Sequence, residues 1–392
     1  MQGDIRHWLA LSAIKNVGPG TVRKLLAHFK TPENIFKASL NELKGVEGVK
    51  SFRAESVKNF NGWDVVEVAL KKIEQNGIKV FSYMDDDYPE MLKVFPDSPT
   101  LLFVKGDIVS EDRYAIAIVG TRTLSHYGQR VTEKFTGELV NMGFTIVSGM
   151  ARGIDTIAHR EALKCNGRTI AVLGCGIDIA YPPENLWLMQ RIAESGAVVS
   201  EFLPGTRPQR ENFPIRNRII SAFSLGVLVV EAGARSGALI TAKFALDQGK
   251  EVFAVPGNVL SSSAQGAHSL IQSGAKLVNN ANDILEELGD LIKAYIKERK
   301  PPVKRKVEKT ETTDVKKLKA PKTQITTADE KPVLEESDDS KKVFSVLGFE
   351  GIHVDEIIRR TSLPAHKVLN VLLELELRGL VKQSEGMKFY IV

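Results

Sequence analysis

The sequence of 392 residues has little of the side-chain chemistry that metal sites and most catalytic sites require. Its two cysteines, Cys165 and Cys175, fit neither a thiolate metal site nor a redox pair. The seven histidines are scattered without metal-ligand spacing. No P-loop, nucleophile-elbow serine or carboxylate cluster for two-metal chemistry occurs. We therefore expect no metal ion, no other cofactor and no catalytic activity.

Long hydrophobic runs are also absent. The N-terminal residues include Asp4 and Arg6 and lack the apolar run of a secretion signal. The charge-free stretch 252–275 is rich in serine, glycine and glutamine, whereas a membrane span needs about 20 mainly apolar residues. We therefore expect a cytoplasmic protein that does not contact a membrane and whose cysteines stay reduced.

The excess of positive charge is confined to one segment, residues 297–322. The chain has a formal charge of +5, but residues 297–322 alone contain eleven Lys/Arg against four Asp/Glu, which gives +7. The rest of the chain is therefore about −2 by subtraction. Net charge thus gives no argument for nucleic-acid binding by the folded parts, and local clusters must decide it.

Composition and periodicity divide the chain into four parts, of which two are described first. Residues 1–80 are expected to be helical, with glycine hairpins at Val17–Gly20 and Gly45–Gly48. Helix-hairpin-helix modules bind a DNA phosphate through the backbone N–H groups of such hairpins. Tight interhelical turns in a small bundle are the alternative. Residues 83–288 alternate apolar runs with helical patterns, which predicts an α/β domain with a mostly parallel sheet.

The other two parts are a linker and a small C-terminal domain. Residues 289–340 are rich in lysine and threonine and poor in apolar residues, which predicts a disordered linker. Residues 341–392 have the outline of a winged helix. Its helices are expected at 341–347, 354–361 and 364–377, and its strands at 380–384 and 388–392. Glu374 and Glu376 in the would-be recognition helix favour protein contact or weak DNA contact.

Four buried apolar strands of the α/β region end in glycine-rich turns. The strands and their turns are Ala115–Val119 with 120–122, Thr145–Val147 with 148–153, Thr169–Leu173 with 174–176, and Gly226–Glu231 with 232–237. In a doubly wound sheet, the carboxyl ends of parallel strands meet at one edge. Free backbone N–H groups and helix N-termini then face one crevice. Because arginines accompany these turns, the sequence predicts that the crevice binds phosphates.

Three of the turns supply candidate phosphate ligands. The candidates are Gly120, Thr121 and Arg122 in the first turn, Ser148, Gly149 and Arg152 in the second, and Arg235, Ser236 and Gly237 in the fourth. Backbone N–H groups, the hydroxyls of Thr121 and Ser148, and guanidinium groups all bind phosphate oxygens. Ser236 is also placed to cap the following helix. The alternative for each is an ordinary strand-to-helix turn with a surface arginine.

The segment Arg210–Arg218 places three arginines beside Phe213 and Pro214. We expect an extended loop in which Arg210 binds phosphate and Phe213 stacks a base, which contributes about 1–3 kcal/mol per base. The alternative buries Phe213 and pairs the arginines with acidic residues, which would be Glu201, Glu211 and Glu231.

Taken in order, these motifs resemble those of the DprA/Smf family of DNA-processing proteins over about 200 residues. The matching elements are Gly120-Thr121-Arg122, Ser148–Asp155, Gly174-x-Gly176 with Tyr181-Pro182, Ser200-Glu201, Phe213–Arg218, Ser236–Thr241 and Val255-Pro256-Gly257. The resemblance implies an extended Rossmann-like domain flanked by a helical N-terminal domain and a C-terminal winged helix. Several ordered motifs of this length make the resemblance specific.

The resemblance also implies a function. Family members bind and protect single-stranded DNA as homodimers and help to load the RecA recombinase during natural transformation, with no catalysis established. Motif matching assigns phosphate binding to Arg122 and to the Ser148-Gly149 and Ser236-Gly237 turns. It assigns base stacking to Phe213, and Arg210 matches a basic position just before it.

Two other functions are open from the residues alone. One is an enzyme on a related scaffold that cleaves nucleoside monophosphates at the glycosidic bond, with Glu231 as its carboxylate. The Pro-Gly-Gly-x-Gly-Thr turn and following glutamate of such enzymes are missing here. The other is a regulator that binds duplex DNA through the winged helix, which Glu374 and Glu376 disfavour.

Overall fold

The computed structural model describes residues 4–289, Ile292, 338–347, 352–361, 363–377, 381–384 and 387–391. The chain folds as two compact units, residues 1–307 and residues 308–392. Apart from Gly289, Ile292 and 338–340, the expected linker lies outside the described residues. The domain boundaries expected near 80, 289 and 341 therefore stay predictions.

Six short helices open the first unit. They are α1 (Ile5–Ala13), α2 (Pro19–Phe29), α3 (Pro32–Lys37), α4 (Leu40–Gly45), α5 (Ser51–Lys58) and α6 (Trp63–Gln75). Side chains cap three of them: Asp4 accepts from the Arg6 amide at α1, the Thr31 hydroxyl accepts from the Asn34 amide at α3, and Ser39 and Glu42 form a capping box at α4. Gly48 links α4 to α5 with a φ of +71°, a conformation that favours glycine.

Two basic side chains near the glycine hairpins form hydrogen bonds with the protein backbone. The Arg23 guanidinium donates to the carbonyl oxygens of Phe95 and Ser98 at 2.8 and 3.2 Å. Lys24 Nζ donates to the Gly48 carbonyl oxygen at 3.4 Å. Because these groups tie the helices to each other and to a neighbouring segment, structural turns explain Arg23 and Lys24 better than DNA contact does.

A nine-stranded sheet forms the centre of the first unit. Its strands are β1 (Lys79–Ser82), β2 (Leu101–Gly106), β3 (Ala115–Val119), β4 (Thr145–Ser148), β5 (Thr169–Val172), β6 (Ala197–Ser200), β7 (Gly226–Val229), β8 (Glu251–Ala254) and β9 (Lys276–Leu277). Their order is β1-β2-β6-β5-β4-β3-β7-β8-β9. β2 pairs antiparallel with β1 and β6, and all other neighbours are parallel. The predicted α/β class with a mostly parallel sheet is confirmed.

Further helices lie between or after the strands and cover both faces of the sheet. They are α7 (Glu90–Lys93), α8 (His126–Asn141), α9 (Ile154–Lys164), α10 (Leu186–Ser195), α11 (Asn212–Ala222), α12 (Gly237–Asp247), α13 (Gln265–Gln272) and α14 (Ala281–Leu288). Side chains of β3 alternate between two cores, with Ala115 and Ala117 in one and Ile116 and Ile118 in the other. Burial on both faces explains the uninterrupted apolar runs of these strands.

The N-terminal helices share a hydrophobic core with the sheet. Fully buried Trp8 of α1 belongs to the same cluster as Phe103 of β2 and Val198 of β6. Leu188 and Ile192 of α10 complete this side of the cluster. The apolar faces of α1–α6 are therefore covered by the α/β region, which makes both parts of one compact unit.

The chain reverses its direction across the sheet at β3. From β3 it moves outward through β4, β5 and β6, and then returns to place β7 on the other side of β3. Loops that leave β3 and β7 at their carboxyl ends diverge, and open α/β sheets bind ligands in the crevice formed there. The topology therefore brings the turns at 120–122 and 232–237 to the two sides of one crevice.

The second unit has a winged-helix arrangement. Its described elements are α15 (Asp338–Val346), β10 (Ile352–His353), α16 (Val354–Thr361), α17 (Ala365–Leu377), β11 (Val381–Ser384) and β12 (Lys388–Ile391). The strands form an antiparallel sheet in the order β10-β12-β11. Val343, Ile357 and Leu372 from the three helices lie in its core. The predicted winged helix is confirmed, with β10 as an element that the periodicity did not indicate.

Candidate nucleic-acid interface

An open cleft with a volume of about 540 Å³ lies at the carboxyl edge of the sheet, where β3 and β7 end. Three segments supply its walls: the turn after β3, the turn before α12, and Arg210 with the first turn of α11. Eight predicted site residues line it, namely Gly120, Thr121, Arg122, Arg210, Phe213, Arg235, Ser236 and Gly237. Gly149 and Arg152 line a small adjoining cleft, together with Arg122, Tyr181 and Phe213.

The turn after β3 is held from both sides. The Thr121 amide donates to the Glu231 carbonyl oxygen at 2.7 Å, and the Ile154 amide donates to the Thr121 carbonyl oxygen at 3.2 Å. Gly153 has a φ of +78°, and a Cβ there would lie 2.2 Å from the Thr121 carbonyl oxygen. The Thr121 amide is therefore not free for a phosphate, whereas the fixed backbone directs Arg122 into the cleft.

The turn after β4 corrects the expectation for Ser148 and Gly149. The Ser148 hydroxyl is fully buried and donates to the Ile118 carbonyl oxygen at 2.6 Å. The amides of Gly149 and Ala151 donate to Asp155 Oδ2 at 3.2 and 3.3 Å. In this structure a carboxylate of the protein occupies the anion nest, so the geometry does not support the predicted assignment of phosphate to this hydroxyl and amide.

Two buried groups of opposite charge, Arg216 and Asp155, lie at this nest. Arg216, 3% exposed, donates to the carbonyl oxygens of Gly149 at 2.7 Å and of Val172. A Cβ on Gly149 would lie 2.6 Å from the guanidinium, so only glycine permits this approach. Burial raises the pKa of Asp155 and lowers the pKa of Arg216 to about 10. Arg216 therefore stays positively charged at neutral pH, and its charge compensates the negative charge of Asp155.

The arginine-rich segment is a helix and not the extended loop that we expected. α11 begins at Asn212, and Pro214 lies in its first turn, where a missing N–H leaves no helical bond unmade. Arg218 is buried and pairs with Glu201, as the structural alternative proposed. Of the segment's arginines, Arg210 is the exposed one that reaches the cleft.

Phe213 has a half-buried ring at the cleft wall. A Cβ on Gly174 would lie 2.7 Å from this ring, so the ring packs against bare backbone on one side. The Tyr181 ring lies 5.3 Å away at 37°, and the Arg122 guanidinium carbon lies 5.5 Å from the ring centre. Tyr181 is a site residue that the sequence argument did not assign, although its Tyr-Pro motif was noted.

The turn after β7 leaves a helix N-terminus open to the cleft. The Ser236 hydroxyl accepts from the Ala238 amide at 3.3 Å, which confirms Ser236 as the cap of α12. Arg235 and Gly237 are exposed and line the cleft. The unbonded N–H groups of a first helical turn favour an anion.

Charge in the cleft is strongly one-sided. Its lining includes Arg122, Arg210, Arg216 and Arg235, against Asp155 as the one acidic residue among the lining residues. Because Asp155 is buried and faces Arg216, an entering ligand meets a net positive surface. Such a surface selects anions and repels acidic proteins.

Arg152 and Glu231 have other partners. Arg152 Nε donates to Glu184 Oε1 at 2.5 Å at the edge of the adjoining cleft. Glu231 is 5% exposed and accepts from the hydroxyls of Ser125, at 2.8 Å, and Ser263. It does not line the cleft, so its position gives no support to a catalytic carboxylate for glycosidic cleavage.

The described residues offer neither a metal site nor a membrane-spanning helix. Within them, no group of three or more His, Cys, Asp or Glu residues is placed to hold a metal ion. In the same part of the chain, every helix is too short or too polar to cross a membrane. The chemistry of the cleft depends on the charges and aromatic rings of the residues that line it.

Comparison with known proteins decides the family. Residues 79–289 match the family described as DNA recombination-mediator protein A, and residues 320–387 match the DprA winged helix domain. Protein Smf of Synechocystis is 36% identical over 397 residues, and the match covers 98% of each chain. This chain belongs to the DNA recombination-mediator protein A family, also called DprA/Smf.

Two further family members agree with this placement. The DNA processing protein DprA of Bacillus subtilis is 46% identical over 221 residues, which cover 56% of this chain and 74% of that one. The X-ray structure of DNA processing protein A from Streptococcus pneumoniae has a TM-score of 0.63 at 35% identity and covers 74% of this chain and 100% of that one. The predicted family and its Rossmann-like fold are confirmed. The chain is a DNA-processing recombination mediator.

Proposed function

We propose that the chain binds single-stranded DNA in the cleft, protects it and helps to load RecA on it during natural transformation. The protein would act as a homodimer in the cytoplasm. One observation carries the proposal: the half-buried Phe213 ring lies in a cleft whose charge comes from four arginines. An aromatic platform beside cations is the combination that single-strand binders use.

In this proposal, different groups of the cleft bind phosphates and bases. Arg122, Arg210 and Arg235 line the cleft and would bind phosphates, together with the N-terminus of α12 at Gly237. Phe213 lines the same cleft and would stack a base. The ring is recessed, so an unpaired base can reach it whereas a base inside a duplex cannot. Contacts of this kind ignore sequence, which suits a protein that must accept any incoming strand.

Reversible ionic contacts also suit transfer of the strand to RecA. Each phosphate contact displaces counterions, so affinity falls steeply with salt and no covalent step commits the DNA. A homodimer would present two clefts to one strand and raise the effective concentration of the second. RecA could then displace one cleft at a time.

Fluorescence anisotropy of a labelled oligo-dT, with unlabelled duplex as competitor, tests the binding part. We expect tight single-strand binding, poor competition by the duplex, and at least tenfold weaker binding by Arg122→Ala and by Phe213→Ala. Arg6→Ala and Phe52→Ala are matched controls, because both side chains are exposed and lie outside the cleft lining. Unchanged affinity in both cleft variants, or equal competition by the duplex, would sink the proposal.

The RecA part needs its own assay. RecA nucleation on oligo-dT that is covered by single-strand-binding protein should be faster with the wild-type chain than without it. Arg122→Ala should lose this acceleration at protein concentrations where the wild type saturates the DNA. Equal nucleation with and without the wild-type chain would limit the function to DNA binding and protection.

A further inference from the structure

We propose that single-stranded DNA leaving the cleft continues over Tyr181 to a second stacking site, the Trp187 platform, formed by Trp187 and Arg160. The inference rests on the proposed function and extends it, because it names where the next nucleotides bind. With this second site, the DNA interface extends beyond the cleft.

The fold brings both residues of the platform toward the cleft edge. Parallel strands β4 and β5 are neighbours, and the segments that leave them lead into α9 and α10. Trp187 is the second residue of α10. Arg160 lies on the second turn of α9, about 10 Å along the helix from its start. Both helices begin on the side of the sheet that carries the cleft.

Trp187 and Arg160 form an exposed aromatic–cation pair. The Arg160 guanidinium carbon lies 5.9 Å from the Trp187 ring centre. The tryptophan is 55% exposed, and neighbouring Leu186 is 52% exposed. Among the described residues, Arg160 has no carboxylate within ion-pair distance. An exposed tryptophan with an uncompensated arginine over it is typical of a binding surface and is unusual on a bare one.

A rigid segment joins the platform to the cleft. Tyr181 lines both the cleft and its small neighbour and contacts Phe213. The chain then runs through a short helical turn to Asn185, whose Nδ2 donates to the Met150 carbonyl oxygen at 3.0 Å and to Thr156 Oγ1 at 2.8 Å. These bonds fix the segment on the turn after β4. A strand that stacks at Phe213 can therefore pass over Tyr181 to Trp187 along one fixed ridge.

The charges along this ridge favour a polyanion over a protein. Arg122 lines the small cleft that Tyr181 shares, and Arg160 lies over the Trp187 ring, so each end of the proposed path has an arginine. The nearby carboxylates are compensated, since Glu184 pairs with Arg152 at 2.5 Å and Glu161 pairs with Lys164 at 3.0 Å. Alternating aromatic rings and arginines are what successive bases and phosphates require.

Intrinsic tryptophan fluorescence of the full chain tests the platform. The three tryptophans differ in exposure: Trp8 is fully buried, Trp63 is 39% exposed within an aromatic cluster, and Trp187 is the most exposed. Oligo-dT of about 16 nucleotides should quench the emission, whereas about 4 nucleotides, enough to fill the cleft, should quench little. Trp187→Phe should lose the quenching and keep the affinity, while Trp63→Phe should keep both.

Affinity at the two lengths gives the second readout. Trp187→Ala should bind the long oligomer roughly tenfold more weakly and the short one as the wild type does. Arg160→Ala should act in the same direction with a smaller effect, and Trp63→Ala should bind both lengths like the wild type. This pattern, with the length-dependent quenching, supports the platform.

Other outcomes separate the two proposals. Suppose that the wild type binds both lengths and needs Arg122, but that Trp187→Ala binds each length as tightly as the wild type does. The platform is then wrong, while the proposed function stands. If the wild type binds neither length, both proposals are overturned. If Trp187→Ala binds DNA normally but no longer accelerates RecA nucleation, Trp187 contacts a protein and the platform is overturned.

Discussion

Two glycine-rich turns of the cleft edge look alike in sequence and differ in structure. The closed turn, residues 148–153, and the open turn, residues 233–237, each place a serine, an arginine and small residues between a buried strand and a helix. In the closed turn, the Asp155 carboxylate accepts hydrogen bonds from two backbone amides, and the Ile118 carbonyl oxygen accepts one from the serine hydroxyl. In the open turn, the serine only caps α12 and the N-terminus faces the cleft.

The comparison teaches what a glycine-rich turn can and cannot indicate. Both turns have the donors that an anion requires. Whether a phosphate can use them depends on whether a carboxylate of the protein reaches them first. Substitutions in the closed turn should therefore cost stability, whereas substitutions in the open turn should cost DNA binding.

The largest expected effect is at Arg216 of α11, beneath the closed turn. Arg216→Met removes the donor to two buried carbonyl oxygens and the positive charge that compensates the buried Asp155 carboxylate. Each carbonyl oxygen left without a donor costs about 1–3 kcal/mol of unfolding free energy, and the uncompensated carboxylate adds to this loss. Urea unfolding followed by circular dichroism measures it. Arg235→Met in the open turn is the control, expected within about 0.5 kcal/mol of the wild type; equal stability of both variants would contradict the comparison.

Acid should weaken the helix behind the closed turn without any substitution there. His159 of α9 is buried with Nδ1 2.7 Å from Thr169 Oγ1, and burial lowers its pKa from 6.5 to about 3. The unfolded chain therefore binds the extra proton first as pH falls. The stability due to neutral His159 is fully present above pH 6.5 and is lost progressively toward pH 3.

Between pH 7 and pH 5 this loss should be about 2 kcal/mol. Urea unfolding at the two pH values measures it, and His159→Gln should show a correspondingly smaller difference. An identical pH dependence in the wild type and in His159→Gln would mean that other groups set the acid sensitivity.

An exposed arginine of the open turn should give a purely electrostatic effect. Arg235→Ala should weaken oligo-dT binding about tenfold and reduce the slope of log affinity against log salt by about 0.7, the value for one phosphate contact on a single strand. Anisotropy titrations at several salt concentrations measure the slope. Arg6→Ala should leave it unchanged, and an unchanged slope in Arg235→Ala would remove Arg235 from the interface.

Much of the fold could be predicted because its signals are local. The strands Ala115–Val119, Thr145–Val147, Thr169–Leu173 and Gly226–Glu231 are expected almost at their observed bounds, since buried apolar runs end there in glycine turns. The segment Arg210–Arg218 is different, because an extended loop is expected and the structure has a helix from Asn212 that includes Pro214. A proline in the first turn of a helix is compatible with that helix, so it did not exclude one.

The parts of the site that could not be predicted depend on distant contacts. Three arginines within nine residues suggest one charged surface, yet the fold buries Arg216 and Arg218 and exposes Arg210. Tyr181 reaches Phe213 from 32 positions away, so no local pattern joins the two rings. Asp155 is close in sequence to its amides, but only the turn geometry shows that it fills the nest instead of capping α9.

The smallest expected effects come from a matched pair of serines. Ser148→Ala leaves the Ile118 carbonyl oxygen without its donor and should cost about 1–2 kcal/mol of unfolding free energy, with oligo-dT affinity unchanged. Ser236→Ala removes the α12 cap and should cost about 1 kcal/mol, and it should also weaken oligo-dT binding a few-fold because the helix N-terminus loses its fixed geometry beside the phosphate. Urea unfolding and anisotropy on both variants separate the two turns. A loss of DNA affinity in Ser148→Ala equal to that in Ser236→Ala would mean that the nest opens when DNA binds, with Asp155 giving up its amides to a phosphate.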